Sequence, residues 1–257
     1  MSLNARIARR PVLSCLLMTL ALIVLLGVAG TALYLSGNSA ISPVAVVFAP
    51  VAIALAIGIS RARTFRAFGF RAPRPGWVLA ALPAGLVLVM TAASVGIANE
   101  LPWEKVWAVL GLVALVAFVE ETLFRSLFIA LLGRKRVVRA VLVSSTLFAL
   151  AHAVNLLGGQ DAATTVVQIV FAFAFGSFAA AYFLRTESIW PMIAFHGLFD
   201  AIGLLGARET PVAVDAASAV ILLISAAVLL RRMTAERAAE RAAEQAAERA
   251  AARAFAA

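Results

Sequence analysis

Eight apolar runs follow one another along this chain, at about 11–36, 43–60, 77–98, 106–132, 137–154, 164–184, 189–205 and 212–230. A helix that crosses a bilayer needs ~20 such residues, so the spacing predicts an all-α polytopic membrane protein of about eight transmembrane helices. Composition agrees. The chain is 63% hydrophobic and 14% charged, whereas soluble domains run near ~45–50% and ~25%.

The charges between the runs sort by side. Arg6, Arg9 and Arg10 precede the first run, and Arg61, Arg63, Arg66, Arg71 and Arg74 fill the second connection. Arg134, Lys135, Arg136 and Arg139 fill the fourth, Arg185 edges the sixth, and Arg231 and Arg232 follow the eighth. The odd connections hold little that is positive beyond Lys105 and Arg208. Positive residues gather on the cytoplasmic side, which predicts an N-in, C-in, multi-pass protein. The dominance of arginine over lysine and the abundance of alanine suggest a bacterial inner (plasma) membrane. The net charge of +9 is thus a topology signal, and the expected partner is the lipid bilayer, with no nucleic acid. The first run exceeds the ~7–15 residues of a cleavable signal core, so a retained helix is expected. Cys15 is the lone cysteine and excludes an internal disulfide. Trp77, Trp103, Trp107 and Trp190 fall where interfacial anchors belong. Residues 1–232 form the expected transmembrane domain. The tail at 233–257 repeats E-R-A-A, has high helix propensity, and should prolong the last helix into the cytosol.

Polar residues interrupt these runs at a few positions. Glu120 and Glu121 sit side by side in V-A-F-V-E-E-T-L-F-R, although an acid near the bilayer centre costs at least ~2.5–3.5 kcal/mol on insertion scales. Successive helical residues turn by ~100°, so the two carboxylates point apart. Glu121 and Arg125, at (i, i+4), can pair on one face. That leaves Glu120 without a local partner, the kind of buried carboxyl that serves proton transfer near neutrality. The two histidines of the chain, His152 and His196, lie in the fifth and seventh runs. His196 and Asp200 share a face at (i, i+4), and Gly197 and Gly203 allow a neighbouring backbone to come close. Phe148 reads as a packing residue and Asn155 as a helix-end residue. Three runs therefore bring acids and imidazoles to overlapping depths, which predicts a polar chamber in the bundle core.

E-E-T-L-F-R at 120–125, F-A-L-A-H at 148–152 and H-G-L-F-D at 196–200 resemble, in order, the three motifs of the CPBP family. These are the CAAX-type prenyl-protein endopeptidases and their bacterial relatives, also called the ABI family. The resemblance covers about 106–206. It implies an intramembrane protease whose chamber opens toward the cytosol. By that resemblance Glu120 is the catalytic carboxylate and His152 its partner in activating water. His196 and Asp200 bind the developing oxyanion or position the water, and Glu121 and Arg125 brace the helix. The substrate would be a peptide or a membrane protein. Asp200 stands where CAAX-processing relatives carry Asn. An ionised Asp donates no hydrogen bond, so Asp200 is either protonated, or orients His196 by accepting its Nδ1–H, or ligates a metal. Glu120, His152 and His196 would suit zinc, which takes three protein ligands and a water at a catalytic site. The family is often named a metalloprotease. The chain lacks H-E-x-x-H, and the preferred reading is water activated by Glu120 and His152, with no cofactor required.

Two rivals from other classes use the same residues. A proton-coupled transporter would also place acids and histidines in the membrane, but no inverted repeat is visible. A non-catalytic scaffold or immunity protein of the same fold would not need every motif position intact.

Overall fold

The computed structural model describes residues 10–38, 41–96, 98 and 100–256, with the backbone alone at 250 and 252–256. The apolar runs become α1 (Pro11–Leu35), α2 (Pro43–Arg61), α3 (Trp77–Val95) and α4 (Trp103–Leu132). They continue as α5 (Val137–Leu156), α6 (Ala162–Thr186), α7 (Trp190–Leu205) and α8 (Val212–Ala256). No strand occurs among the described residues. Arg6 and Arg9, two of the expected topology signals, lie outside them.

Seven of these helices are long and apolar enough to cross a membrane. The exception is α7, with 16 residues. At ~1.5 Å per residue it rises ~24 Å, short of a ~30 Å hydrocarbon core. The eight expected apolar helices are thus present, seven of spanning length and one shorter. Its start is fixed inside the fold: the Ile189 amide donates to the Gly69 carbonyl at 2.9 Å, ahead of the first helical residue.

Burial identifies the centre of the bundle. In α6 the residues from Ala174 to Leu184 are buried without interruption, whereas α1, α2 and α3 expose Leu17, Val24, Val28, Ile53, Leu79 and Val89. Apolar side chains so placed suit lipid. Helices in a membrane associate largely through close packing, which small residues permit. Gly176 is such a residue. A Cβ there would lie 3.2 Å from the Ser145 Cα, so α5 and α6 touch backbone to backbone. Gly197 likewise sits against α4, where its Cβ would be 3.7 Å from the Val113 carbonyl oxygen. Gly203, expected to do the same, has open space around it.

The arginine-rich connections meet at one end. Between α2 and α3 the chain crosses the α6–α7 turn, with Arg74 N to Thr186 O at 2.9 Å and Ser188 Oγ to Arg71 O at 2.7 Å. Glu187 pairs with Arg71 at 2.8 Å and Arg74 at 2.7 Å. The Ser126 hydroxyl donates to the Phe68 carbonyl, and Arg134 to that of Ala67. The Ala-rich tail continues α8 without a break, making one helix of 45 residues. Its first turns are attached: Arg237 donates to Lys135 O at 2.8 Å and Arg134 O at 3.1 Å, and Glu236 pairs with Arg185. Trp77, Trp103, Trp107 and Trp190 are exposed in the first turns of α3, α4 and α7, as interfacial anchors are.

Candidate active site

The helix α4 changes pitch at the acidic pair. It is α-helical from Trp103 to Glu120, a π-helix from Glu121 to Leu127, and α-helical again to Leu132. Single π turns occur mostly within α-helices and frequently at functional sites. Here the wider turn holds Glu121 and Arg125, both fully buried, with Nε 3.3 Å from Oε2. Depth follows from the rise per residue: Glu120 lies ~18 Å from the Leu132 end and ~26 Å from the Trp103 end.

The expected (i, i+4) pair of Glu121 and Arg125 is present, and Glu121 does more. Its Oε1 accepts from His196 Nδ1 at 2.9 Å. Of the alternatives for Asp200, accepting that proton is ruled out, because the position is taken. Asp200 faces the other nitrogen instead, with Oδ2 3.4 Å from His196 Nε2. Glu120 approaches the same atom, with Oε2 at 3.7 Å. One imidazole therefore stands between a buried carboxylate on Nδ1 and two more accessible ones at Nε2. Exposure grades outward from Glu121 (0%) through Glu120 (15%) to Asp200 (31%). The open side of the site is where Glu120 and Asp200 converge.

His152 begins a short 3₁₀ turn, His152–Leu156, that ends α5. Its Nδ1 lies 2.9 Å from the Phe148 carbonyl oxygen. A carbonyl only accepts, so Nδ1 carries a proton and donates it there. His152 is near enough to Glu120 to act on it electrostatically, as Asp200 and Arg125 do. Asn155 bonds to Gln168 at 2.7 Å and anchors the turn, as a helix-end residue does.

Phe148 links the two halves of the site. The Arg125 guanidinium lies 3.9 Å from its ring centroid. Its edge contacts reach His152 at 4.9 Å and His196 at 6.0 Å. A cation over an aromatic face gains ~2 kcal/mol or more when desolvated. That contact offsets part of the cost of burying Arg125, whose Nη1 and Nη2 have no hydrogen-bond partner among the described residues. Packing was the expected role of Phe148, and the ring adds charge compensation to it.

Sequence reasoning missed Phe175 and the π turn. Phe175, on α6, contacts the His196 ring at 5.0 Å, stacks on Phe195 at 5.0 Å and lies 5.7 Å from the Arg125 guanidinium. In F-A-F-A-F-G-S-F several aromatics compete, and nothing local distinguishes this one. Only the adjacent Gly176, at the α5 contact, marks the position. Among the described residues no group of three or more His, Cys, Asp or Glu is disposed to hold a metal ion.

Comparison with known proteins adds an independent observation. Residues 102–202 match the family described as type II CAAX prenyl endopeptidase Rce1-like. The match spans less than half of the chain, and it contains Glu120, Glu121, Arg125, Phe148, His152, His196 and Asp200. No curated protein and no solved structure matches the chain. The helical bundle and this match agree with the motif resemblance: residues 102–202 are similar to the type II CAAX prenyl endopeptidases.

Proposed function

We propose that this protein is an intramembrane endopeptidase in which Glu120 and His152 activate water and His196, with Asp200, receives the developing oxyanion. The observation that carries this reading is the arrangement around His196: Glu121 on Nδ1, and Glu120 and Asp200 facing Nε2. Protonated on both nitrogens, His196 gives Nδ1–H to Glu121 and presents Nε2–H at the open side. A donor held in place by a buried carboxylate stabilises negative charge as it forms on a carbonyl oxygen. Asp200, as the most accessible acid, positions the water or the peptide amide.

The steps balance without a metal. Glu120 takes a proton from water, assisted by the free Nε2 of His152, and the hydroxide adds to the peptide carbonyl. The tetrahedral intermediate collapses, the C–N bond breaks, and Glu120 returns its proton to the leaving amine. The substrate is a peptide or membrane-protein segment that reaches the site from the bilayer. The arginine-rich end faces the cytosol in this reading, which places both termini there.

Purified protein in liposomes, given membrane-associated peptides in ¹⁸O-labelled water, tests the reaction. Products whose new carboxyl carries ¹⁸O, formed equally with and without a chelator, are expected. Cleavage abolished by the chelator would move the activation of water to a metal. Proton flux that requires His152, with no cleavage of any peptide, would replace the peptidase with a carrier.

A further inference from the structure

The π turn leaves a gap in the backbone ladder of α4, and another helix fills it. Within the turn hydrogen bonds run from residue i+5 to residue i, as the Phe128 amide does to the Leu123 carbonyl. Beyond it, Phe128–Leu132 is α-helical again, and bonds return to i+4 spacing. By that spacing the next amide, Ile129, falls to the Arg125 carbonyl, and the carbonyl of Phe124 is passed over. Buried carbonyls without a partner are costly in a membrane interior, where no solvent substitutes. At that carbonyl, and from a different helix, the Ser144 hydroxyl donates at 2.7 Å. Ser144 is fully buried. Its neighbour Ser145, equally buried, bonds instead within α5, to Val141 O at 2.7 Å.

We propose that Ser144 is a positioning residue of the site: its hydroxyl satisfies the carbonyl that the π turn frees, and so fixes the register that carries Glu121 to His196. Without that donor, the stretch Glu121–Leu127 gains by closing into an ordinary α-helix. Adjacent residues would then advance by ~100° rather than by the smaller angle of a π turn. Glu121, Arg125 and the 2.9 Å bond to His196 Nδ1 would lose their alignment. Ser144 touches no reacting atom, so its effect passes through Glu121 and His196. The inference rests on the peptidase reading for its kinetic consequence alone.

The test pairs Ser144→Ala with Ser145→Ala, in liposomes. The chain has two histidines, so ¹⁵N-histidine spectra contain two sets of ring signals. In Ser144→Ala the His196 signals should lose their single-tautomer pattern while those of His152 stay in place. Ser145→Ala should leave both unchanged. On a cleaved peptide, Ser144→Ala should lower kcat at least tenfold with KM within twofold, and Ser144→Thr should restore part of the loss. An unchanged His196 spectrum in Ser144→Ala overturns the proposal, as does an equal change in both variants. Because the spectra need no substrate, a protein that cleaves nothing would still show whether Ser144 sets the register.

Discussion

Neighbouring carboxylates in α4 have different tasks, and substitution should separate them. Glu121 has no exposure and holds both Arg125 and His196. Glu121→Gln leaves a buried cation without its counter-ion, which costs on the order of 3–5 kcal/mol. A denaturant titration in mixed micelles should show that loss along with lost cleavage. Phe148→Leu removes the ring beneath Arg125 and should lose at least ~2 kcal/mol in the same titration, more than a packing change of similar size elsewhere. At this scale the sequence was informative about identity and poor about partners. Rare acids and histidines in apolar runs announced Glu120, Glu121, His152, His196 and Asp200. Which carboxylate meets which nitrogen depends on how α7 is rotated against α4, and no spacing within one helix encodes that. Hence accepting the His196 Nδ1 proton was one of three roles open to Asp200, at (i, i+4), although Glu121, 75 residues away, takes that role.

Helices are set by hydropathy where lipid surrounds them and by contact where protein does. Runs of apolar residues located all eight, but the pitch change at Glu121–Leu127 and the 3₁₀ turn at His152–Leu156 left no trace in hydropathy. Both conformations answer to neighbours: Ser144 and His196 for the first, Phe148 and Gln168 for the second. The α5–α6 contact is where an element-scale change should be felt most. Gly176→Val places methyl groups against the Ser145 backbone and the Phe148 ring, both within 3.3 Å of the Cβ position. Overpacking of this kind costs ~1–3 kcal/mol. It should lower stability in the micelle titration and displace Phe148, reducing cleavage as well. Gly203→Ala, in open space, should do neither.

The molecule as a whole has a packed centre and less buried flanks. Residues 102–202 hold the site and the family match, while α1, α2 and α3 face outward and α8 runs on past the bundle. Among the described residues no side chain past Arg237 bonds to the rest of the bundle, so truncation after Glu240 should leave cleavage and stability as they are. Arg237→Ala, by contrast, should loosen α8 from the Arg134–Lys135 connection, seen as faster amide exchange there. In the polar chamber the proposed chemistry rests on one carboxylate at its open side, Glu120. The direct measurement is the rate of peptide cleavage by Glu120→Gln beside the wild type in the same liposomes, with unfolding followed in parallel. Proton transfer by a positioned side chain contributes ~10²–10⁴-fold, so the substitution should remove cleavage by at least about a hundredfold while unfolding is unchanged. A variant that cleaves at the wild-type rate would contradict it.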